Sequence, residues 1–239
     1  KRPMFWAYTS NDGGAFRWVP FTQRAYERLI DNTIATVILA AAKHKGEFSL
    51  PKCPKTLFNI PPRPYLTGLL AFSMFERGLF SPILPLEQAE QMDFKERIER
   101  GFEEALSTGV DLLGSISSVL VRMGEGFTEA SEKRRKRVNI WRPGVASRVA
   151  RAVLRSKLER RPMLPKDLWP VKAILCWGVD TDLYRDKIAH YWGQLPYEFF
   201  ASTEMGIIAM QSWRKAAMTF VPDVAFLEFI PEEEWIRSR

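Results

Sequence analysis

The chain has 239 residues, 46% hydrophobic and 26% charged, enough for a large buried core and too apolar for a disordered segment. Two cysteines, Cys53 and Cys176, exclude a disulfide scaffold and fit a reducing compartment; two histidines, His44 and His190, leave too few ligands for a His/Cys zinc site. The longest uncharged apolar stretch, residues 34–42, is far below the ~20 residues that span a bilayer, and no signal peptide is visible. Lys1-Arg2-Pro3 reads as a cut into a longer chain, so the expectation is a cytoplasmic fragment with no membrane contact.

The formal charge of +7 is concentrated in one place. Residues 131–162 hold twelve Lys or Arg against two acids, a balance of +10, which leaves the rest of the chain at −3. One reading is a patch for nucleic acid or an acidic partner. The other is a solvated insert with an exposed helix, because Val145, Val149, Val153 and Leu154 lay an apolar stripe among the arginines. Only Trp141 interrupts the cations, so the interleaved aromatics of a single-strand binder are missing and nucleic acid is not the expected partner.

In chain order, residues 4–9 read as an aromatic-rich strand, 10–14 as a loop and 17–20 as a return to extended structure. Thr22 is the N-cap expected for a helix reaching about Lys43. Residues 56–60 form a short apolar run stopped by Pro61, Pro62 and Pro64, and 66–77 read as a helix closed by Gly78. Phe94, Ile98, Phe102 and Leu106 recur every four residues, predicting an amphipathic helix that ends at Gly109. A short helix is expected from Ser117, and Pro165 and Pro170 are expected to bracket a linker. Residues 171–176 suit a strand buried on both faces, Thr181 caps a helix ending at Gly193, and 197–200, 207–211 and 225–230 complete the extended runs. Alternating strands and helices predict an α/β fold with a mostly parallel sheet.

The G-x-S-x-G, Walker A, H-E-x-x-H and G-x-G-x-x-G signatures are absent, and both histidines sit in polar helical contexts that suit surface residues. Two loops can carry chemistry. In the first, residues 9–17, small and hydroxyl residues allow backbone N–H groups to cradle a phosphate beside the cation Arg17; Asn-Asp-Gly-Gly would equally make a plain hairpin turn. In the second, residues 199–206, an aromatic ring, two hydroxyls and a carboxylate follow a buried strand, where ligands of open α/β sheets sit; a strand leading into a helix N-cap at Ser202 or Thr203 is the structural alternative.

Together these loops resemble the acyl-adenylate-forming superfamily, and within it the auxin-responsive acyl-acid amido synthetase family and its bacterial relatives. Thr9-Ser10, Gly14, Arg17 in place of a lysine, and Val19-Pro20-Phe21-Thr22 follow the family's first loop. Ile174-Leu175-Cys176-Trp177-Gly178 is similar to the strand and turn bordering adenine, and Phe200-Ala201-Ser202-Thr203-Glu204 to the aromatic-Gly/Ala-Ser-Ser/Thr-Glu loop. Phe220-Val221-Pro222-Asp223 and Phe226-Leu227-Glu228-Phe229-Ile230-Pro231 resemble its aromatic-Glu-Phe-x-Pro tail.

The resemblance implies an ATP-dependent ligase that forms acyl-AMP from a carboxylic acid and passes the acyl group to an amine or thiol. Phe200 would stack on adenine, with Gly178, Val179 and Ala201 beside it. Ser202 and Thr203 would contact the α-phosphate, Glu204 would hold Mg²⁺, and Thr9, Ser10, Gly14 and Arg17 would cradle the outer phosphates. Thr203, Glu204 and Arg17 are thus the implied catalytic set, and Pro62, Tyr65 and Ser118 the implied acyl-pocket residues. Residues 1–239 would be one α/β domain, part of the family's large N-terminal domain, carrying the 131–162 insert and a short antiparallel portion at its C-terminus. The ribose-binding Asp and the small C-terminal domain would lie beyond Arg239. Asn11, Asp12 and Gly13 depart from the family's loop, and a carboxylate facing a triphosphate repels it. A non-catalytic relative that binds a nucleotide or partner weakly is therefore the alternative.

Overall fold

The computed structural model describes residues 2–9, 16–133, 143–178 and 180–238. An antiparallel hairpin of β1 (Phe5–Tyr8) and β2 (Trp18–Phe21) precedes α1 (Gln23–Ala41), where the Thr22 hydroxyl accepts from the Ala25 N–H at 3.3 Å. Then follow β3 (Lys55–Asn59), α2 (Leu66–Glu76), β4 (Ser81–Pro82), α3 (Leu86–Gln91), α4 (Phe94–Thr108), β5 (Leu112–Ile116), α5 (Ser117–Lys133), α6 (Pro143–Leu158) and α7 (Pro165–Leu168). The remainder comprises β6 (Ala173–Trp177), α8 (Thr181–Trp192), β7 (Tyr197–Ser202), β8 (Gly206–Gln211), β9 (Met218–Phe220) and α9 (Glu232–Arg237). Seven strands form one sheet in the order β4-β3-β5-β6-β7-β8-β9. Pairing is parallel from β4 through β7 and antiparallel for β7–β8 and β8–β9. The expected mostly parallel α/β sheet with an antiparallel portion near its C-terminal end is what forms.

Strand β6 is continuously apolar, and β5 apolar apart from Gly114 and Ser115, because both faces are covered. Leu112, Ala173 and Leu175 pack with Ile30, Val37 and Ala40 of α1, while Leu113, Ile174 and Cys176 pack with residues of α4, α5 and α8. Two buried indoles knit that second layer: Trp169 Nε1 donates to the Ala105 carbonyl at 2.9 Å and Trp192 Nε1 to the Leu120 carbonyl at 3.0 Å. Phe102 stacks on Trp169 with ring centroids 5.4 Å apart.

Five local readings change. Strand β5, at the centre of the sheet, was not among the expected strands, because Gly114 and Ser115 break its apolar run; the helix from Ser117 is also long rather than short. Residues 165–170 are core, not linker: Pro165 opens the first turn of α7, where its missing N–H costs nothing, and Leu164, Leu168 and Trp169 are buried. Residues 225–230 form no strand. The third antiparallel strand is β9, and Phe226 is left 92% exposed. The N-cap of α8 is Asp180, one residue before Thr181, which is buried.

The basic segment is only partly a solvated insert. Helix α6 buries Val145 and Ala152, with Val149 packed against the same core, while Val153 and Leu154 face water. Arg148 reaches the end of α4, donating to the carbonyls of Leu106 at 2.9 Å and Ser107 at 3.0 Å, groups that no intrahelical partner satisfies. Arg161 grips Asp167 through two bonds of 2.7 and 2.8 Å, and Asp167 also accepts from the Leu164 N–H at 2.8 Å. Arg134, Arg135, Lys136, Arg137, Trp141 and Arg142 lie outside the described residues.

The Asp167 side chain is 0% exposed. Burial alone raises its pKa, but the Arg161 and Leu164 bonds outweigh burial and hold the carboxyl below its ordinary 3.8. A depressed folded pKa stabilises the fold above the unfolded value and is lost as pH falls through the lower one. Asp167→Ala is therefore expected to cost about 1–3 kcal/mol at neutral pH, by removing two bonds of the largely buried Arg161 guanidinium, which keeps Glu159 at 2.6 Å, and by freeing the Leu164 N–H. Urea titrations should show the gap between the variant and wild type narrowing below pH 3.8.

Candidate active site

In a parallel stack every β→α turn falls at the carboxyl edge of the sheet, and ligands of open α/β sheets bind there. The register Ser115↔Cys176, Ile116↔Trp177 and Cys176↔Glu198 puts the ends of β5, β6 and β7 side by side, neighbouring strands being about 4.8 Å apart. At this edge the Ser117 and Thr181 hydroxyls are 2.6 Å apart, binding the start of α5 to the turn after β6. Gly178 makes that turn at φ +131°, a backbone angle open to glycine, and is exposed. Val179 lies outside the described residues.

The second candidate loop is a β-hairpin, so the helix N-cap alternative does not apply. β7 carries Phe200, Ala201 and Ser202, residues 203–205 turn, and Gly206 opens β8. The Met205 N–H donates to Ser202 Oγ at 3.2 Å and closes the turn. Gly206 holds φ +74°, and a Cβ there would come within 2.7 Å of Leu29 Cδ1, so only glycine seats the hairpin on α1 this closely. The hairpin's other end is anchored by a buried network. The Glu198 N–H donates to Gln211 Oε1 at 2.9 Å, Gln211 Nε2 to the Ala216 carbonyl at 2.7 Å, and Arg185 pairs with Glu198 at 3.2 Å. Burial, then Asp182, raises the Glu198 carboxyl, against the pull of Arg185.

This frame leaves the functional groups presented outward. Phe200 is 54% exposed, Ser202 and Thr203 are half-buried and Glu204 is exposed. Among the described residues Glu204 has no ion-pair or hydrogen-bond partner. Its oxygens, beside two hydroxyls, are the hard donors that suit Mg²⁺, and the open Phe200 face suits a planar base. Burial pushes the Cys176 thiol up to about 12, so this cysteine is no nucleophile at neutral pH.

Of the first loop, Thr9, Phe16 and Arg17 are described; Ser10, Asn11, Asp12, Gly13, Gly14 and Ala15 lie outside the described residues. The base is closed by two bonds, from the Thr9 N–H to the Arg17 carbonyl at 3.0 Å and from the Arg17 N–H to Thr9 Oγ1 at 3.3 Å. It joins the carboxyl edge through the Tyr8 N–H, which donates to the Pro64 carbonyl at 3.0 Å. Ala7 shares a packed cluster with Leu66 and Ile207, linking the loop base, α2 and the start of β8. Tyr8 stacks on Phe16 at 4.8 Å and meets Trp18 at 4.7 Å and Tyr65 at 5.6 Å. The sequence marks Tyr8 and Trp18 as strand formers, Phe16 as part of the first loop and Tyr65 as an implied acyl-pocket residue, with no signal that the four rings meet.

The three implied acyl-pocket residues come from two segments, Pro62 and Tyr65 just before α2 and Ser118 in α5. Pro62 and Tyr65 sit beside the first loop, the Tyr65 N–H donating to the Pro62 carbonyl at 3.1 Å. Ser118 opens α5 on the opposite face of the sheet, beside Ile98 and Phe102 of α4. A further residue, Asn59, was overlooked. It ends β3 on the face of Leu57, is 9% exposed, and neither Oδ1 nor Nδ2 has a hydrogen-bond partner among the described residues. Its only sequence signal was an amide ending an otherwise apolar strand.

A mostly parallel sheet with its β→α turns gathered at one edge makes this an α/β protein. No protein-family model matches the chain, and no curated protein matches it by sequence. Solved structures do match. ATP-bound MatB from Rhodopseudomonas palustris superposes over 87% of this chain with a TM-score of 0.52 and 8% identity. The acyl acid amido synthetase AtGH3.15 in complex with 2,4-DB matches over 87% with a TM-score of 0.54 and 15% identity. An open 2-hydroxyisobutyryl-CoA ligase in complex with 2-HIB-AMP and CoA matches over 90%, at 0.53 and 12%. The chain has the fold of the acyl-adenylate-forming enzymes. It spans 31%, 42% and 40% of those three chains respectively.

A buried amide with no partner destabilises the fold that contains it. Asn59→Leu should therefore keep or raise the melting temperature. A loss of more than about 1 kcal/mol in a denaturant titration would mean that the amide is bonded in the native state.

Proposed function

We propose that this chain is the nucleotide- and acyl-binding core of an ATP-dependent carboxylate-activating ligase. The observation that carries this reading is convergence. An exposed aromatic ring at Phe200, the Gly178 turn and the base of the Thr9–Arg17 loop meet the carboxyl edge of a sheet with the adenylate-forming fold. In the reaction a carboxylate oxygen attacks the α-phosphorus of ATP, the bond to pyrophosphate breaks and acyl-AMP forms. An amine or thiol then takes the acyl group and releases AMP.

The chain's own residues supply positioning and charge, which dominate this kind of transfer. Phe200 stacks the adenine, with Gly178, Val179 and Ala201 leaving room for its edge. Ser202 and Thr203 donate to the α-phosphate, and Arg17 neutralises the outer phosphates above the loop begun by Thr9 and Ser10 and closed by Gly14. Glu204 would hold Mg²⁺, which would offset phosphate charge. The first loop also contains Asp12, so phosphate binding relies on Arg17 and the metal to cancel that carboxylate.

Phe200→Ala tests the reading because the exposed ring contributes little to folding. Stability should stay within about 0.5 kcal/mol. ATP·Mg²⁺ affinity should fall tenfold or more, as a lost base–aromatic stack costs about 1–3 kcal/mol. Glu204→Gln should remove the Mg²⁺ dependence of ATP binding. Calorimetry measures both, and a Phe200→Ala variant that binds ATP like wild type would defeat the proposal.

A further inference from the structure

Helix α6 carries two apolar stripes on opposite sides, where docking on a core needs only one. Val145, Val149 and Ala152 form the first and face the core. At 3.6 residues per turn, Ala150, Leu154 and Leu158 fall on the far side, in a row about 12 Å long. All three are exposed, Leu154 at 59% and Leu158 at 75%. A lone exposed leucine is commonplace. What sets this row apart is what borders it.

Arg151 and Arg155 line one side of the row, Val153 and Lys157 the other, and Arg160 stands just past the helix end. These four cations are exposed, and among the described residues Arg151, Lys157 and Arg160 have no side-chain hydrogen bond or ion pair. The single acid in residues 143–162, Glu159, is already held by Arg155 at 3.8 Å and Arg161 at 2.6 Å. The outer face is thus apolar along its midline and cationic along its edges.

That pattern selects the partner. A second copy of this chain would set like charges against each other. A nucleic acid would meet leucines where a base needs a ring to stack on. A protein interface needs about 800 Å² on each side, far more than three side chains offer. An anionic bilayer needs no matching shape. Its phosphates take the cations, and its interfacial layer takes the leucines with the arginine and lysine stems alongside.

We propose that the outer face of α6 docks on a membrane surface rich in anionic phospholipid. Leu154 and Leu158 enter the headgroup layer, and Arg151, Arg155, Lys157 and Arg160 meet lipid phosphates. No helix of the described residues is long and apolar enough to cross a membrane, so α6 lies along the surface. The docking is independent of the ligase reading.

Vesicle flotation tests it, comparing phosphatidylcholine alone with phosphatidylcholine carrying about 30% phosphatidylserine. The chain should bind the anionic vesicles, and high salt should weaken that binding. The double variant Leu154→Ser/Leu158→Ser should bind about tenfold more weakly. Arg151→Gln/Lys157→Gln should bind about twentyfold more weakly. Every replaced side chain is exposed, so circular dichroism and melting temperature should match wild type. Failure to bind anionic vesicles, equal binding to both kinds, or binding that the leucine changes leave unaltered overturns the proposal. The last result would assign the binding to charge elsewhere in residues 131–162. Self-association that the leucine variant abolishes would give the stripe to a second copy and overturn it too.

Discussion

Strands β5 and β6 have water on neither face, and the rest of the molecule follows from that. A strand covered on both sides must be apolar at almost every position and must be paired along both edges. Here β3 and β6 flank β5, while β5 and β7 flank β6, all in parallel. Parallel pairing forces a crossover between successive strands, and helices on the two faces supply it. The crossovers deliver Gly178, the Ser117–Thr181 contact and the end of β7 to a single edge.

At β7 the pattern breaks. Instead of crossing over, the chain turns back through residues 203–205 into an antiparallel strand, and Gly206 makes the return possible against Leu29. The Phe200–Glu204 segment is therefore held between two paired strands, where a free loop would wander. The buried Glu198–Arg185–Gln211 network steadies the other end of the same hairpin. Rigidity at this point suits a site whose work is to hold charge and geometry in place.

The cations of the 131–162 segment divide by what they touch. Arg148 satisfies carbonyls at the end of α4, and Arg161 is locked to Asp167 in the wall of the core. Arg155 pairs with Glu159 across one exposed helical turn. A charge count could not separate these roles, because a carbonyl acceptor contributes no charge and a buried carboxylate counts the same as an exposed one.

Much of the fold was legible in the sequence because it is governed locally. Thr22 capping α1, the four-residue stripe ending at Gly109 and the apolar run of β6 are short-range signals, each with one physical cause. The elements that were misread depend on partners distant in the chain. β5 tolerates Gly114 and Ser115 because β3 and β6 enclose it, α7 survives its prolines because Trp169 and Leu168 are buried, and 225–230 stays unpaired because β9 takes the sheet edge. The same division holds for the site. Residue types and their order in the chain singled out the loops at 9–17 and 199–206. Only the tertiary structure decided that the second is a hairpin, that Tyr8, Phe16, Trp18 and Tyr65 meet in one cluster, and that Asn59 is buried without a partner among the described residues, since each depends on how segments distant in the chain pack together.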